Sequence, residues 1–151
     1  MSALLQGNQL RALNYGQRAA KSTGTLAATT VPLFTVAGGR VALTSVYGVV
    51  GVAITVANLY NLQHNPTAGT TVALFPSTDI GTTDTAAGEL LGFTGDSGGS
   101  VLSIGGAVET LRAPIVLAAG QVESVSGGTD GEITWVVSWV PLDDGAYLVA
   151  V

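Results

Sequence analysis

The stretch Glu132-Ile-Thr-Trp-Val-Val-Ser-Trp-Val140 alternates polar and apolar residues and is the clearest strand signal in the chain. Successive side chains of a β-strand point to opposite faces. One face would hold Ile133, Trp135, Val137 and Trp139, and the other would hold Glu132, Thr134, Val136 and Ser138. Two tryptophans on one face form a large apolar anchor for a core between packed sheets. Pro141 then ends the strand.

Other short runs rich in Val, Ile, Thr and Tyr lie before this strand and after it, separated by Gly, Asn and Pro. They cover residues 32–36, 40–47, 52–60, 70–75, 89–94, 100–104, 110–117, 121–126 and 146–151. The loop Ser126–Gly131 and the strand after it are expected to form the last hairpin. About ten short strands with regular turn signals predict an all-β fold, a single sandwich or barrel-like domain.

The first thirty residues differ in composition from the rest. They are rich in Gln, Asn, Ser and Thr, with sparse leucines, and a helix of one or two turns within residues 4–20 would be weakened by Gly7 and Gly16. We therefore expect an extended N-terminal arm over residues 1–30 and a β-domain over residues 31–151.

Charge follows the same division. The first forty residues carry four cations and no acid, whereas the rest carries one cation, Arg112, against ten acids. A basic arm on an acidic domain suggests an arm that contacts an acidic surface. Four dispersed cations without interleaved aromatics make a poor track for phosphates, so a nucleic-acid partner is not expected.

Composition argues against much enzyme chemistry. The 151 residues include no Cys, one His and one Lys, which exclude a disulfide scaffold, a thiolate metal site, a multi-histidine site and a P-loop. We expect no cofactor, no metal and no enzymatic activity. Charged residues make up only 10% of the chain, against about 25% in typical soluble proteins, which suggests a surface partly covered by other subunits.

The longest apolar stretch, Val41–Leu59, is interrupted by polar residues and is rich in β-branched ones. Its glycines at Gly48 and Gly51 favour two short strands over a bilayer helix. No charged region followed by an apolar run opens the chain, so neither a secretory signal nor a membrane partner is expected.

One motif points to an enzyme. Gly95-Asp96-Ser97-Gly98-Gly99 matches the string around the nucleophile of chymotrypsin-like serine proteases, with His64 as the available base and Asp79 or Asp84 as the acid between them. The 33 residues from His64 to Ser97 are too few for that barrel. A glycine-rich turn accounts for the string, and His64 reads as a polar loop or edge residue.

Three segments resemble small virion proteins of tailed bacteriophages, most of all the capsid decoration (cement) proteins. They are Val31–Val41, the turn Asn65–Thr70, and Trp135–Val151. The resemblance implies a virion structural protein on the outer capsid surface, bound to the major capsid protein and self-associated as a trimer. A different binding function, glycan recognition by a tail or head fibre, would need clustered exposed aromatics, for which Tyr47, Tyr60 and Tyr147 are the candidates.

The arm supplies the candidate partner-binding residues. Leucines would act as apolar anchors and cations would meet carboxylates on the partner. These residues are Leu4, Leu5, Leu10, Arg11, Leu13, Arg18 and Lys21.

Overall fold

The computed structural model describes residues 4–96 and 102–151. One helix and twelve strands are found in these ranges, in the order α1 (Gly7–Tyr15), β1 (Gln17–Thr25), β2 (Thr30–Ala37), β3 (Val41–Val52), β4 (Leu59–Pro66), β5 (Val72–Ala73), β6 (Thr78–Asp79), β7 (Leu90–Gly92), β8 (Ser103–Gly105), β9 (Ile115–Leu117), β10 (Gly120–Ser126), β11 (Glu132–Pro141) and β12 (Tyr147–Ala150).

The strands form two six-stranded antiparallel sheets packed face to face. The first sheet has the order β1-β11-β3-β7-β8, with β9 also paired to β3. The second has the order β12-β2-β10-β4-β5, with β6 also paired to β4. The predicted all-β sandwich is confirmed.

Strand β11 has the two faces that its alternation predicts. Ile133, Trp135, Val137 and Trp139 are all buried in the core between the sheets. The Trp135 ring stacks on Tyr60 of β4 with centroids 6.1 Å apart, and its Nε1 donates to the Tyr60 hydroxyl at 2.7 Å. The same hydroxyl lies 2.8 Å from Ser124 Oγ. This network ties the two sheets together, and burial raises the pKa of Tyr60.

The expected last hairpin is wrong. Strand β10 lies in the second sheet and β11 in the first, so the loop between them crosses from one sheet to the other. Asp130 holds this crossing by accepting hydrogen bonds from the Thr55 backbone N–H at 2.8 Å and from its hydroxyl at 2.7 Å. A turn signal marks where the chain reverses, and the two strands that it joins need not pair.

The two short strands predicted within Val41–Leu59 are also corrected. Strand β3 runs unbroken to Val52, and residues 53–58 form a loop. Gly48 is not a turn here, because it pairs with Trp135, and a Cβ would lie 3.0 Å from Ile133 Cγ2 and 3.3 Å from the indole. The glycine makes room for the tryptophan of the neighbouring strand.

The division expected at residue 30 does not match the sheet. Strand β1 pairs with β11 from Gln17 opposite Trp139 to Thr25 opposite Glu132, and Leu26 is buried in the core. Its polar sequence carries little strand signal, since only Ala19 packs against the core and the hydrogen bonds to β11 hold the rest. The segment before the first strand is therefore residues 4–16.

Candidate functional site

The N-terminal segment 4–16 holds a short helix. Its first turn is closed by the Gln6 backbone N–H donating to Gln9 Oε1 at 2.9 Å. The helix ends at Gly16, whose N–H donates to the Ala12 carbonyl at 3.0 Å and whose φ is +88°. A Cβ at this position would overlap the Trp139 carbonyl oxygen, so glycine allows the sharp turn into β1.

Helix α1 has no buried residue, and the four leucines predicted as anchors are exposed. Leu4 is 89% exposed and Leu13 is 74% exposed, with Leu5 and Leu10 about half exposed. Because these apolar side chains stay exposed to water, they add no hydrophobic stabilisation to the folded chain. They are available to a partner.

The cations divide into paired and unpaired groups. Arg40 binds Asp143 through Nε at 2.8 Å and Nη2 at 2.7 Å, and these hydrogen bonds lower the pKa of Asp143 to about 2. Arg112 binds Asp96 at 3.1 Å and Glu109 at 3.0 Å. In contrast, Arg11, Arg18 and Lys21 form no ion pair with any residue that the structure describes. The unpaired cations are those predicted to bind a partner.

Two of them meet in one groove on the outer face of the first sheet. The groove has a volume of about 260 Å³, and we call it the arginine groove. It is lined by Arg11, Tyr15, Arg18, Tyr47 and Thr110 above a floor that includes Ser45 and Val136. Arg11 and Tyr15 are four residues apart in α1 and so share the helix face that turns toward the sheet.

Two segments flank the groove on the outer face of the first sheet. Val136 points away from the core but is only 4% exposed. On the far side, residues 108–109 lie directly against β7, because a Cβ on Gly92 would be 2.8 Å from Val108 Cβ. Helix α1 and the loop after β8 thus flank a strip of the sheet and leave a concave surface between them.

Lys21 lies apart from the two arginines. Lys21 lies in β1 and pairs with Trp135 of β11. It lines a separate cleft of about 560 Å³ with Val31, Pro32 and Val151. The predicted binding residues therefore divide into three places: the exposed leucines of the N-terminal segment, the arginine groove, and this cleft at the sandwich edge.

The tyrosines considered for glycan binding do not form a cluster. Tyr60 is fully buried in the core, Tyr47 lines the arginine groove, and Tyr147 lies on β12 of the other sheet. Tyr47 shares the arginine groove with Tyr15, which the sequence did not single out because nothing local places residues 15 and 47 in one groove.

The sequence suggested that His64 is a polar loop or edge residue, and this is wrong. It lies in β4 between β10 and β5, and its side chain is 5% exposed. Asp79 pairs with Leu59, five positions away along the same strand and so roughly 17 Å distant. Asp79 therefore does not orient His64, and Ser97 lies outside the described residues.

The burial of His64 predicts how the stability of the folded chain depends on pH. Burial lowers the pKa of His64, and the nearby backbone polar groups of Gln121 and Ala118 and the Glu123 charge oppose this shift. None of the described residues makes a well-aligned hydrogen bond to either ring nitrogen. The unfolded histidine, with a pKa near 6.5, takes up protons first as the pH falls. Stability linked to this group is therefore present above about pH 6.5 and is lost as the pH falls toward the folded pKa.

The test compares urea unfolding of His64→Leu, His64→Gln and wild type from pH 8 to pH 5. His64→Leu should gain about 1 kcal/mol at pH 7, because it removes a buried polar ring without a partner. Both variants should lose the histidine-linked fall in stability, and only the leucine variant should gain stability. An unchanged pH profile in both variants would contradict the assignment.

No protein-family model, curated protein or solved structure matched the chain. Within residues 4–96 and 102–151, no helix is long and apolar enough to cross a membrane. No group of three or more potential metal ligands was found in the described part of the chain.

Proposed function

We propose that the chain is a virion structural protein that decorates the outer capsid of a tailed bacteriophage and acts by binding alone. The observation that carries the proposal is helix α1, which buries none of its residues while the segment exposes four leucines. In this account, residues 4–16 bind the major capsid protein, and the β-sandwich self-associates as a trimer on the capsid surface.

The charge pattern supports the same division of labour. Arg11, Arg18 and Lys21 have no acidic partner in the described structure, whereas the other two cations do. Unpaired arginines bind carboxylates of a partner through two parallel hydrogen bonds. A partner that covers this surface also explains a chain with 10% charged residues.

The proposal predicts the behaviour of a leucine variant. Replacing Leu4, Leu5, Leu10 and Leu13 with serine should leave the thermal unfolding midpoint unchanged, because none of these side chains is buried. Binding to capsids stripped of the protein should weaken at least about 100-fold, since buried apolar anchors carry most of the energy of such contacts. Co-sedimentation with the capsids measures the affinity.

The matched control changes four exposed aliphatic residues of the β-sandwich to serine. They are Val72, Val116, Leu142 and Val149. This control should bind capsids like the wild type. Equal binding by wild type and the leucine variant would contradict the proposed role of the N-terminal segment.

A further inference from the structure

The arginine groove has a charge that its own fold does not balance. Arg11 and Arg18 line one concave surface, and no carboxylate of the described residues pairs with either. The two tyrosines and the hydroxyl of Thr110 add hydrogen-bonding groups around them. Such a surface fits a carboxylate-bearing protein segment.

A group of acids that could supply such carboxylates lies around the end of β3 and the loop 53–58. We call this surface the acidic end. Its acids are Asp79, Asp84, Glu89, Asp130 and Glu132. They surround the end of β3 and the loop 53–58: Glu132 pairs with Val52, and Asp130 accepts hydrogen bonds from Thr55.

Two more acids are placed by the same loop. Asp79 accepts a hydrogen bond from the Asn58 backbone N–H at 3.1 Å. Asp84 precedes Thr85, which pairs with Ile54. The nearest cation along the sheet is Lys21, which pairs three positions along β11 from Glu132, or about 10 Å away.

The carboxylates of the acidic end also divide into held and available ones. Asp79 and Asp130 are hydrogen-bonded by their own loops, and Glu132 accepts from Ser22 at 2.5 Å. Asp84 and Glu89 make no side-chain hydrogen bond or ion pair with the residues that the structure describes. Exposed apolar side chains accompany them at this end, namely Val52, Val56 and Leu59.

Arg18 cannot reach Glu89 of its own copy. Arg18 pairs with Ser138, which pairs with Ser45 of β3, and the N–H that donates to the Glu89 carbonyl belongs to Val50, five positions further along β3 and roughly 17 Å distant. A contact between these two residues therefore has to form between copies.

We propose that the arginine groove of one copy binds the acidic end of a second copy, with Arg11 and Arg18 paired to Asp84 and Glu89. The inference rests on the self-association in the proposed function and states its geometry. The interface is head to tail, so it uses two different surfaces and closes into a ring when the rotation between copies allows it. The exposed leucines remain free to contact the capsid.

A mixing experiment tests this geometry. The groove variant carries Arg11→Gln and Arg18→Gln, and the acidic-end variant carries Asp84→Asn and Glu89→Gln. Sedimentation velocity at about 100 µM should show wild type as an oligomer and each variant alone at least about 10-fold weaker in association. A 1:1 mixture should form a dimer of one copy of each and nothing larger, because each copy retains one intact surface.

The control pair, Arg40→Gln and Asp143→Asn, removes an exposed ion pair outside both surfaces and should associate like wild type. A monomeric wild type, wild-type association by either variant, or a mixture that assembles beyond the dimer would overturn the head-to-tail interface. The acidic-end variant leaves segment 4–16 unchanged and should still co-sediment with capsids. A mixture that fails to pair while capsid binding is retained would refute only the head-to-tail geometry. Capsid binding by the leucine variant reports separately on the proposed function.

Discussion

A chain that lacks residues 2–30 should fail to fold, whereas a chain that lacks residues 2–15 should keep the stability of the whole. The longer deletion removes β1, the edge strand paired to β11, together with Leu26, which is buried in the core. Losing a buried leucine costs about 2–5 kcal/mol, and each lost backbone hydrogen bond costs about 0.5–1.5 kcal/mol. That loss is comparable to the whole stability of a domain, roughly 5–15 kcal/mol.

The shorter deletion ends at Tyr15, the last residue of α1, and α1 buries no side chain. Circular dichroism melts and size-exclusion chromatography of the two truncated chains measure the difference. The longer deletion would also open the edge of β11 to pairing with other chains, so aggregation is the expected form of its failure. A native-like melting transition in the chain without residues 2–30 would show that β1 is not part of the folded domain.

Replacing Trp135 with alanine should destabilise the chain by about 3–5 kcal/mol in urea unfolding. The ring is fully buried, stacks on Tyr60 and lies 6.4 Å from the centroid of Phe75. Its Nε1 hydrogen bond to Tyr60 joins the two sheets. The substitution therefore leaves a cavity and removes the aromatic contact and the hydrogen bond between the two sheets.

Two comparisons separate these effects. Trp135→Phe keeps much of the ring but removes the N–H donor, and should cost less than the alanine variant. Tyr147→Ala truncates an exposed aromatic on β12 and should cost about 0.5 kcal/mol or less. If Trp135→Ala and Tyr147→Ala unfolded at the same urea concentration, the aromatic network would not be the centre of the core.

The fold class was predictable because β11 alternates so regularly. Period-two alternation sets which face is buried, and Trp135 and Trp139 are buried as expected. Strand β1 escaped detection because its side chains are small or polar and its backbone is held by β11. Gly48 was expected to separate two short strands, but it lies within β3, and its role depends on the Trp135 ring in a neighbouring strand.

The candidate site was only partly predictable. Composition identified Arg11 and Arg18 as cations available to a partner, and the structure brings both to one groove. Sequence could not show that Arg40 pairs with Asp143 and Arg112 with Asp96, nor that Tyr15 and Tyr47 line the same groove. Those facts depend on tertiary contacts between residues far apart in sequence.

The proposed function requires the helix before the first strand to contact the capsid. A photoreactive amino acid tests this contact at position 13, where Leu13 is exposed on α1, and at position 72, where Val72 is exposed on β5. After irradiation on capsids, we expect crosslinks to the major capsid protein from position 13 and none from position 72. Crosslinks from position 72 and none from position 13 would contradict it.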